Sequence, residues 1–167
     1  MIEIKEIIND SEKRDVFRNV LGGFPVYSED IVAFDEHLAS VWEIPFWGVF
    51  DRNDSIGFLS VKKYDGVHAE LLSVFVAEDY RRISIGRGLF NTMQNYALAN
   101  GLGYLTAKAA EPSNPYYTAN SEFLKAMGFV PYGDTNEESN GNLLFKDLKD
   151  ADNSYKCKTS EELNEQR

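Results

Sequence analysis

The sequence predicts a single α/β domain. Runs of apolar residues typical of strands occur between stretches whose apolar residues recur at helical spacing. The chain has 167 residues, which suffices for one sizeable core, and 43% of them are hydrophobic. Neither an internal repeat nor a linker-like segment divides it. We therefore expect a folded domain over residues 1–149, followed by a polar tail over residues 150–167.

The first third of the chain predicts one strand and two helices. A short strand begins at Ile2, and Asn9 can cap a helix that ends at Gly22. Ser28 can cap a second helix whose apolar stripe reaches Val41. The two stripes are Val16, Phe17, Val20 and Leu21 in the first helix and Ile31, Phe34, Leu38 and Val41 in the second.

The middle of the chain predicts three strands. Residues 46–50 and 56–61 are strand-like runs on either side of a turn at 51–54. Residues 69–76 are apolar on both faces, which is typical of a central strand of a sheet.

The apolar spacings typical of helices and of strands also predict the elements of the last part of the chain. We expect a helix striped by Leu89, Met93, Tyr96 and Ala97 that ends at Asn100-Gly101, a strand over 104–109, a helix from Ser113-Asn114-Pro115 to Gly128, and closing strands over 129–132 and 143–148.

Composition excludes several classes of protein. The net charge of −10 argues against a nucleic-acid partner and is compatible with a cationic small acceptor. No apolar run is long enough to span a membrane, and the first residues do not resemble a signal peptide, so a cytoplasmic location is expected. A lone Cys157 and only two histidines, His37 and His68, predict no disulfide framework and no metal site.

The segment between the strand at 69–76 and the next helix carries the chemistry. A strand–loop–helix unit exposes backbone N–H groups at the helix start, where the macrodipole favours an anion. Small residues let the backbone approach a phosphate and arginines add charge, and this loop has Ser84, Gly86 and Gly88 together with Arg81, Arg82 and Arg87. An ordinary glycine-containing turn with solvated arginines is the alternative. Neither G-x-x-x-x-G-K-[ST] nor an early G-x-G-x-x-G occurs, which excludes a P-loop and a dinucleotide fold.

Residues 80–90 resemble motif A of the GCN5-related N-acetyltransferases (GNAT), whose signature is Arg or Gln, two residues, Gly, any residue, then Gly or Ala. Arg81 stands at the first position, Ser84 replaces the first glycine, and Gly86 matches the second small position. Because serine adds a Cβ, we expect a slightly displaced loop. Residues 123–129, which end in Met-Gly-Phe, are similar to the family's Leu-Tyr-Glu-Lys-Leu-Gly-Phe, and the order of elements extends the resemblance over nearly the whole chain.

The resemblance implies a GNAT-type α/β (α+β) fold with a central mixed, mostly antiparallel twisted sheet flanked by helices. It also implies acetyl-CoA as co-substrate, no metal, and a homodimer as in similar proteins. Backbone groups of Val74 and Val76 would pair with the pantetheine arm, and one N–H there can stabilise an oxyanion. The pyrophosphate would bind the loop from Arg82 through Ile85 to Gly88. Asn114 either bonds the cofactor arm or caps a helix.

Glu70 is the candidate general base, because it lies eleven residues before Arg81, similar to the strand glutamate of histone-acetylating relatives. A buried carboxylate has a raised pKa, which suits this role, whereas an exposed or salt-bridged glutamate is the alternative. His68 is a weaker base candidate.

Many relatives carry a tyrosine acid where this chain has Leu124, so Tyr117 is the candidate acid, unless it is a packing residue. The remaining aromatic candidates are Tyr116 and Tyr132 for the acid and Phe24, Tyr27, Trp42 and Trp47 for an acceptor pocket or the core.

The implied function is transfer of an acetyl group from acetyl-CoA to a primary amine by direct attack on the thioester. Cationic amines such as polyamines, aminoglycosides or lysine side chains are the favoured acceptors. A non-catalytic acyl-CoA-binding or regulatory module of the same fold is the alternative, which Ser84 and Leu124 keep open. A purely structural interaction domain is disfavoured by Arg81, Gly86 and Gly88.

Overall fold

The computed structural model describes residues 1–23, 25–81, 83–110, 113, 117–132 and 143–149, with the backbone alone at Pro25 and Tyr117. The elements are β1 (Ile2–Glu6), α1 (Asp10–Leu21), α2 (Ser28–Ala39), β2 (Phe46–Asp51), β3 (Asp54–Lys63), β4 (His68–Val76), α3 (Ile85–Ala99), β5 (Tyr104–Lys108), α4 (Tyr117–Ala126), β6 (Val130–Pro131) and β7 (Leu143–Asp147). Short 3₁₀ turns precede α2 (Pro25–Tyr27) and follow β4 (Glu78–Tyr80).

The strands form one sheet in the order β1-β2-β3-β4-β5-β7-β6. The β4–β5 pair is parallel, and the other pairs are antiparallel. The predicted mixed, mostly antiparallel sheet with flanking helices is therefore confirmed. A parallel pair needs a crossover, and α3 provides it between β4 and β5.

Two apolar cores lie on opposite faces of the sheet. Alternate residues of a strand point to opposite faces, so Phe58 belongs to the core beneath α1 and α2, whereas Leu59 belongs to the core beneath α3 and α4. Phe17 of α1 stacks on Phe34 of α2 at 4.2 Å and on Phe58 at 4.5 Å between ring centroids. The two helices are thereby held against the strands that line the site.

The helix starts show one correct prediction and one wrong one. Asn9 caps α1, because its side-chain oxygen accepts the N–H groups of Ser11 at 2.8 Å and Glu12 at 3.2 Å. Ser28 does not cap α2: a 3₁₀ turn leads directly into the helix, and Ser28 is already its first residue. The helix also ends before Val41, which is 95% exposed. Ser40 ends α2, since its hydroxyl donates to the carbonyl of His37.

The sheet divides at β4. Strand β4 pairs with β5 only from His68 to Leu71, whereas its pairing with β3 continues to Val76. The β3–β4 register shifts at Leu72, which lies between the paired residues Leu71 and Ser73 and forms a β-bulge. The prediction that this strand is buried on both faces is therefore right only for its first half. The second half is half-buried, because β5 no longer covers its edge.

Candidate active site

The divergence of β4 from β5 opens a cleft of about 750 Å³, within the usual range of small-molecule sites. Its walls come from both faces of the sheet, so the cleft passes between the two strands. The lining includes residues 72–76 of β4, Asp30, Ala33, Phe34 and His37 of α2, Arg81 and residues 84–87 at the start of α3, Lys108 of β5, and Ala119, Asn120 and Phe123 of α4.

Two side-chain hydrogen bonds help to attach the loop after β4 to the sheet. The Arg81 side chain turns back, and its Nε donates to the carbonyl of Val76 at 2.8 Å. Its guanidinium carbon lies 5.2 Å from the centre of the Phe75 ring, a cation–π distance. Tyr80 donates its hydroxyl to Asp51 at 2.8 Å, which ties the loop to the end of β2. The chain therefore enters α3 from a defined position beside Val74 and Val76.

Ser84 precedes α3 and has left-handed backbone angles, φ 67° and ψ 16°. Glycine adopts this conformation freely, whereas a residue with a Cβ is strained by roughly 1–2 kcal/mol. The exchange of glycine for serine at this motif position therefore appears as backbone strain at the start of α3. The first amides of a helix have no carbonyl acceptor within it, and Ile85, Gly86 and Arg87 hold these positions along the cleft.

The two glycines in the first turn of α3 allow close packing. A Cβ on Gly86 would lie 3.2 Å from the Phe123 ring of α4, and a Cβ on Gly88 would lie 3.3 Å from Ile4 of β1. The N–H of Gly88 donates to the carbonyl of Ser84 at 3.0 Å, so it is engaged within the helix. Gly86 lines the cleft, whereas Gly88 makes room for the sheet.

Glu70 is buried, with 8% of its surface exposed, and Tyr64 donates its hydroxyl to the carboxylate at 2.9 Å. Burial first, and then the hydrogen bond to Glu70 and its charge, raise the pKa of Tyr64 to about 12. Tyr64 therefore stays protonated and remains a donor at neutral pH. Both residues line a smaller cavity of about 280 Å³, the Glu70 pocket, formed by His37, Lys62, Tyr64, Glu70, Leu71, Leu72 and Lys108. It shares His37, Leu72 and Lys108 with the cleft, so the two cavities adjoin.

The other aromatic candidates lie in different environments. Tyr27 lines the cleft and meets Phe75 edge-on at 5.5 Å, whereas Trp47 is buried in the α3 core. Trp42 is 40% exposed and contacts Tyr64 at 5.3 Å. Tyr132 is exposed and packs against Phe145 of β7.

His68 and Leu124 are structural residues. His68 stacks between the rings of Tyr64 and Tyr104, and its Nε2 lies 2.8 Å from the hydroxyl of Thr106. Burial lowers the pKa of His68 below its ordinary value. Leu124 is 2% exposed within the core, so no proton donor stands at that position.

Several predicted residues lie outside the described part of the chain: Phe24, Arg82, Asn114, Tyr116, Cys157 and the tail 150–167. Tyr117 is the first residue of α4, and its side chain is likewise not described.

Sequence reasoning missed polar residues of the cleft. Asn120 accepts the N–H of Ala110 at 2.9 Å and so joins the end of β5 to α4. The hydroxyls of Ser73 and Ser60 lie 2.5 Å apart across β4 and β3. Asp30 and His37 lie on one face of α2, and burial raises the pKa of Asp30. Their helical spacing, together with Ala33 and Phe34 between them, is a signal that could have identified this wall.

No cluster of three metal-ligating side chains occurs within the described residues. Within the same part of the chain, every helix is too short or too polar to cross a bilayer.

The sheet divides between two parallel strands, with a helix start on the cleft and a buried carboxylate in the adjoining pocket, and this arrangement fits the class of acyltransferases. The model of the Acetyltransferase (GNAT) family matches residues 7–129. The chain therefore belongs to this family of N-acetyltransferases, and the resemblance noted in motif A is confirmed.

Solved structures support the fold. An aminoglycoside 6'-acetyltransferase type Ii is 18% identical, with a TM-score of 0.66 over 87% of this chain and 97% of that one. A GNAT-family acetyltransferase from Staphylococcus aureus is 16% identical, with a TM-score of 0.64 over 89% and 99%. The PaiA N-acetyltransferase from Thermoplasma acidophilum, solved with coenzyme A, is 19% identical, with a TM-score of 0.61 over 88% and 99%. No curated protein matches the chain significantly. At these identities the structural likeness establishes the fold alone.

Proposed function

We propose that the protein transfers the acetyl group of acetyl-CoA directly to a primary amine. One observation carries this proposal: the edge of β4 that no described strand covers, the start of α3 and the buried Glu70 border two adjoining cavities. The first two features suit a cofactor with an extended arm and a pyrophosphate, and the third suits an amine that must lose a proton.

The cofactor half of the proposal concerns the α3 end of the cleft. Val74 and Val76 follow the point where β4 loses β5, so no described strand pairs with this edge, and an extended pantetheine arm would lie along it. The Val76 carbonyl already accepts a hydrogen bond from the Arg81 side chain, so the arm would pair mainly beside Val74. The amides from Ser84 to Arg87 would bind the pyrophosphate at the helix start, with charge from Arg81 and Arg87. Arg82, Gly88 and Asn114 complete the proposed set, although Gly88 contributes through packing rather than a free amide.

The proton-transfer half concerns the Glu70 pocket. Acetyl-CoA would supply the thioester carbon that the amine attacks. Glu70 would accept the proton of the amine, held in place by the hydroxyl of Tyr64. Tyr117 would protonate the departing thiolate, since it is the first residue of α4, and Ala119 and Asn120 in the first turn of that helix line the cleft.

Two measurements on the whole chain test the proposal. Acetyl-CoA at 100 times its dissociation constant should stabilise the fold by about 2.7 kcal/mol in a thermal-shift experiment. Thiol release should then occur with at least one member of a panel of primary amines. No stabilisation would refute the cleft assignment. Stabilisation without thiol release would instead favour the non-catalytic acyl-CoA-binding module, which is the reading that the buried Leu124 supports.

A further inference from the structure

We infer that the acceptor is a small primary amine that also carries an anionic group, a carboxylate or a phosphate, and that Lys62 and Lys108 bind this group. The inference rests on the proposed function and names the substrate class of the same site. It follows from the charges of the Glu70 pocket, where two lysines and His37 surround a single carboxylate.

The charge of Lys62 is not matched by a direct ion pair. Lys62 is the cross-strand partner of Glu70, yet no described carboxylate lies within ion-pair distance of its nitrogen. The nitrogen lies over the rings of Trp42 and Tyr64 instead, 5.3 and 4.9 Å from their centres. The neighbouring Lys63 shows the contrast, since it forms an ion pair with Glu43 at 3.2 Å.

Lys108 provides a second cation of the same kind. It is the last residue of β5, it is exposed, and it lines both the cleft and the Glu70 pocket. No described carboxylate is paired with its nitrogen. The pocket therefore has two lysines against Glu70, a net positive charge even with His37 neutral.

The strand register places these charges on one surface. Lys62, Glu70 and Thr106 are direct neighbours across β3, β4 and β5, so their side chains share a face. Lys108 lies two residues beyond Thr106 and returns to that face. An amine beside Glu70 would thus have a cation on each side, at a distance that a few covalent bonds can span. The volume of about 280 Å³ suits a small acceptor.

The net charge of the chain favours a cationic acceptor, but this attraction acts over longer distances than the contacts within the Glu70 pocket. The charge of −10 attracts cations over the whole surface, and salt screens that attraction beyond roughly 8–10 Å. Contacts within the pocket are shorter and partly desolvated, so Lys62 and Lys108 should decide which amine is bound.

Matched acceptor pairs test the inference. Two pairs differ by a carboxylate: lysine with cadaverine, and tyrosine with tyramine. A third pair, phosphoethanolamine with ethanolamine, differs by a phosphate. With acetyl-CoA present, we expect the acid-bearing member of at least one pair to have a kcat/KM higher by roughly tenfold or more. The pair that shows the preference identifies the anion. Equal or better use of all three acid-free amines would overturn the inference while leaving the acetyltransferase activity itself established.

Variants connect the preference to the lysines. The double change Lys62→Gln and Lys108→Gln should reduce the ratio of the two kcat/KM values toward one, mainly through KM. Lys125→Gln, an exposed lysine of α4 outside both cavities, should leave the ratio unchanged. An unchanged ratio in the folded double variant would refute the assignment.

A binding measurement decides the matter if no amine is turned over. Calorimetry with the coenzyme A complex should show binding of the acid-bearing amine, weaker binding of its acid-free partner, and loss of the difference in the double variant. Equal binding of both members by the unmodified chain would overturn the inference independently of catalysis.

Discussion

At the α3 end of the cleft much of the wall comes from residues close together in the chain, 72–76, Tyr80, Arg81 and 84–87, with α4 opposite them. The wall of the Glu70 pocket instead comes from residues far apart in the chain, in or next to α2, β3, β4 and β5. The first end offers backbone groups and small residues, and the second offers charged side chains. Backbone amides can bind the same phosphate group in many proteins, while side chains set the preference for an acceptor. The difference favours a proposed cofactor site that depends on the fold and a proposed acceptor site that depends on the side chains of this particular chain.

The largest expected effect comes from removing the carboxylate at the acceptor end. Glu70→Gln keeps a hydrogen-bond acceptor for Tyr64 but cannot take a proton, so kcat should fall by about 10²–10⁴-fold, with the acetyl-CoA affinity unchanged. Steady-state kinetics across pH, with a thermal shift for acetyl-CoA, measure both. Glu36→Gln, an exposed residue of α2, is the matched control. An unaltered pH profile in Glu70→Gln would show that another group is the base.

A substitution at the other end should alter the cofactor site instead. A leucine at Gly86 must displace the Phe123 ring, which also meets Phe90 edge-on. We expect Gly86→Leu to lower the free energy of unfolding by about 1–3 kcal/mol and to weaken acetyl-CoA binding. Chemical denaturation and calorimetry test this. Gly66→Leu is the control, because a Cβ there meets no atom within 4 Å. Equal effects of the two variants would contradict the packing described for Gly86.

A smaller and opposite effect should come from relieving the strain before α3. Ser84→Gly should raise the free energy of unfolding by about 0.5–1 kcal/mol and tighten acetyl-CoA binding, because glycine adopts the left-handed conformation freely. Arg52, with φ 57° in the β2–β3 turn, is a matched site away from the cleft. Arg52→Gly should stabilise the fold without changing the affinity for acetyl-CoA. If both variants tighten binding equally, the strain at Ser84 has no specific connection with the site.

The smallest effect concerns His68, which stacks on Tyr64 behind the Glu70 pocket. Burial lowers its pKa in the folded state below 6.5, so the unfolded chain binds more protons there. The contribution of the neutral His68 to the free energy of unfolding is therefore fully present above pH 6.5, and it is lost as the pH falls through the folded-state pKa. We expect the free energy of unfolding to decrease more between pH 7.5 and pH 5 in the unmodified chain than in His68→Gln. Urea unfolding at both pH values measures it, and equal decreases would exclude His68 as the source.

Local rules predicted most of the elements and the cofactor segment. Asn9 caps its helix, and the described residues between 80 and 90 form the predicted loop and helix start. These features depend on residues near one another in the chain, so spacing and residue type suffice to predict them. The two ends of α2 were predicted wrongly, at Ser28 and Val41. A 3₁₀ turn leads into the start of this helix, and the hydrogen bond from the Ser40 hydroxyl to the His37 carbonyl marks its end.

The sequence by itself determined the family, the order of the elements and the loop before α3, because each follows from local patterns of residue type and spacing. Only the tertiary structure decided that β5 leaves β4 after Leu71, that Ser84 is strained, and that Lys62 and Lys108 flank Glu70. Those features depend on pairing between strands that are distant in sequence, and no local periodicity records which residues such pairing brings together.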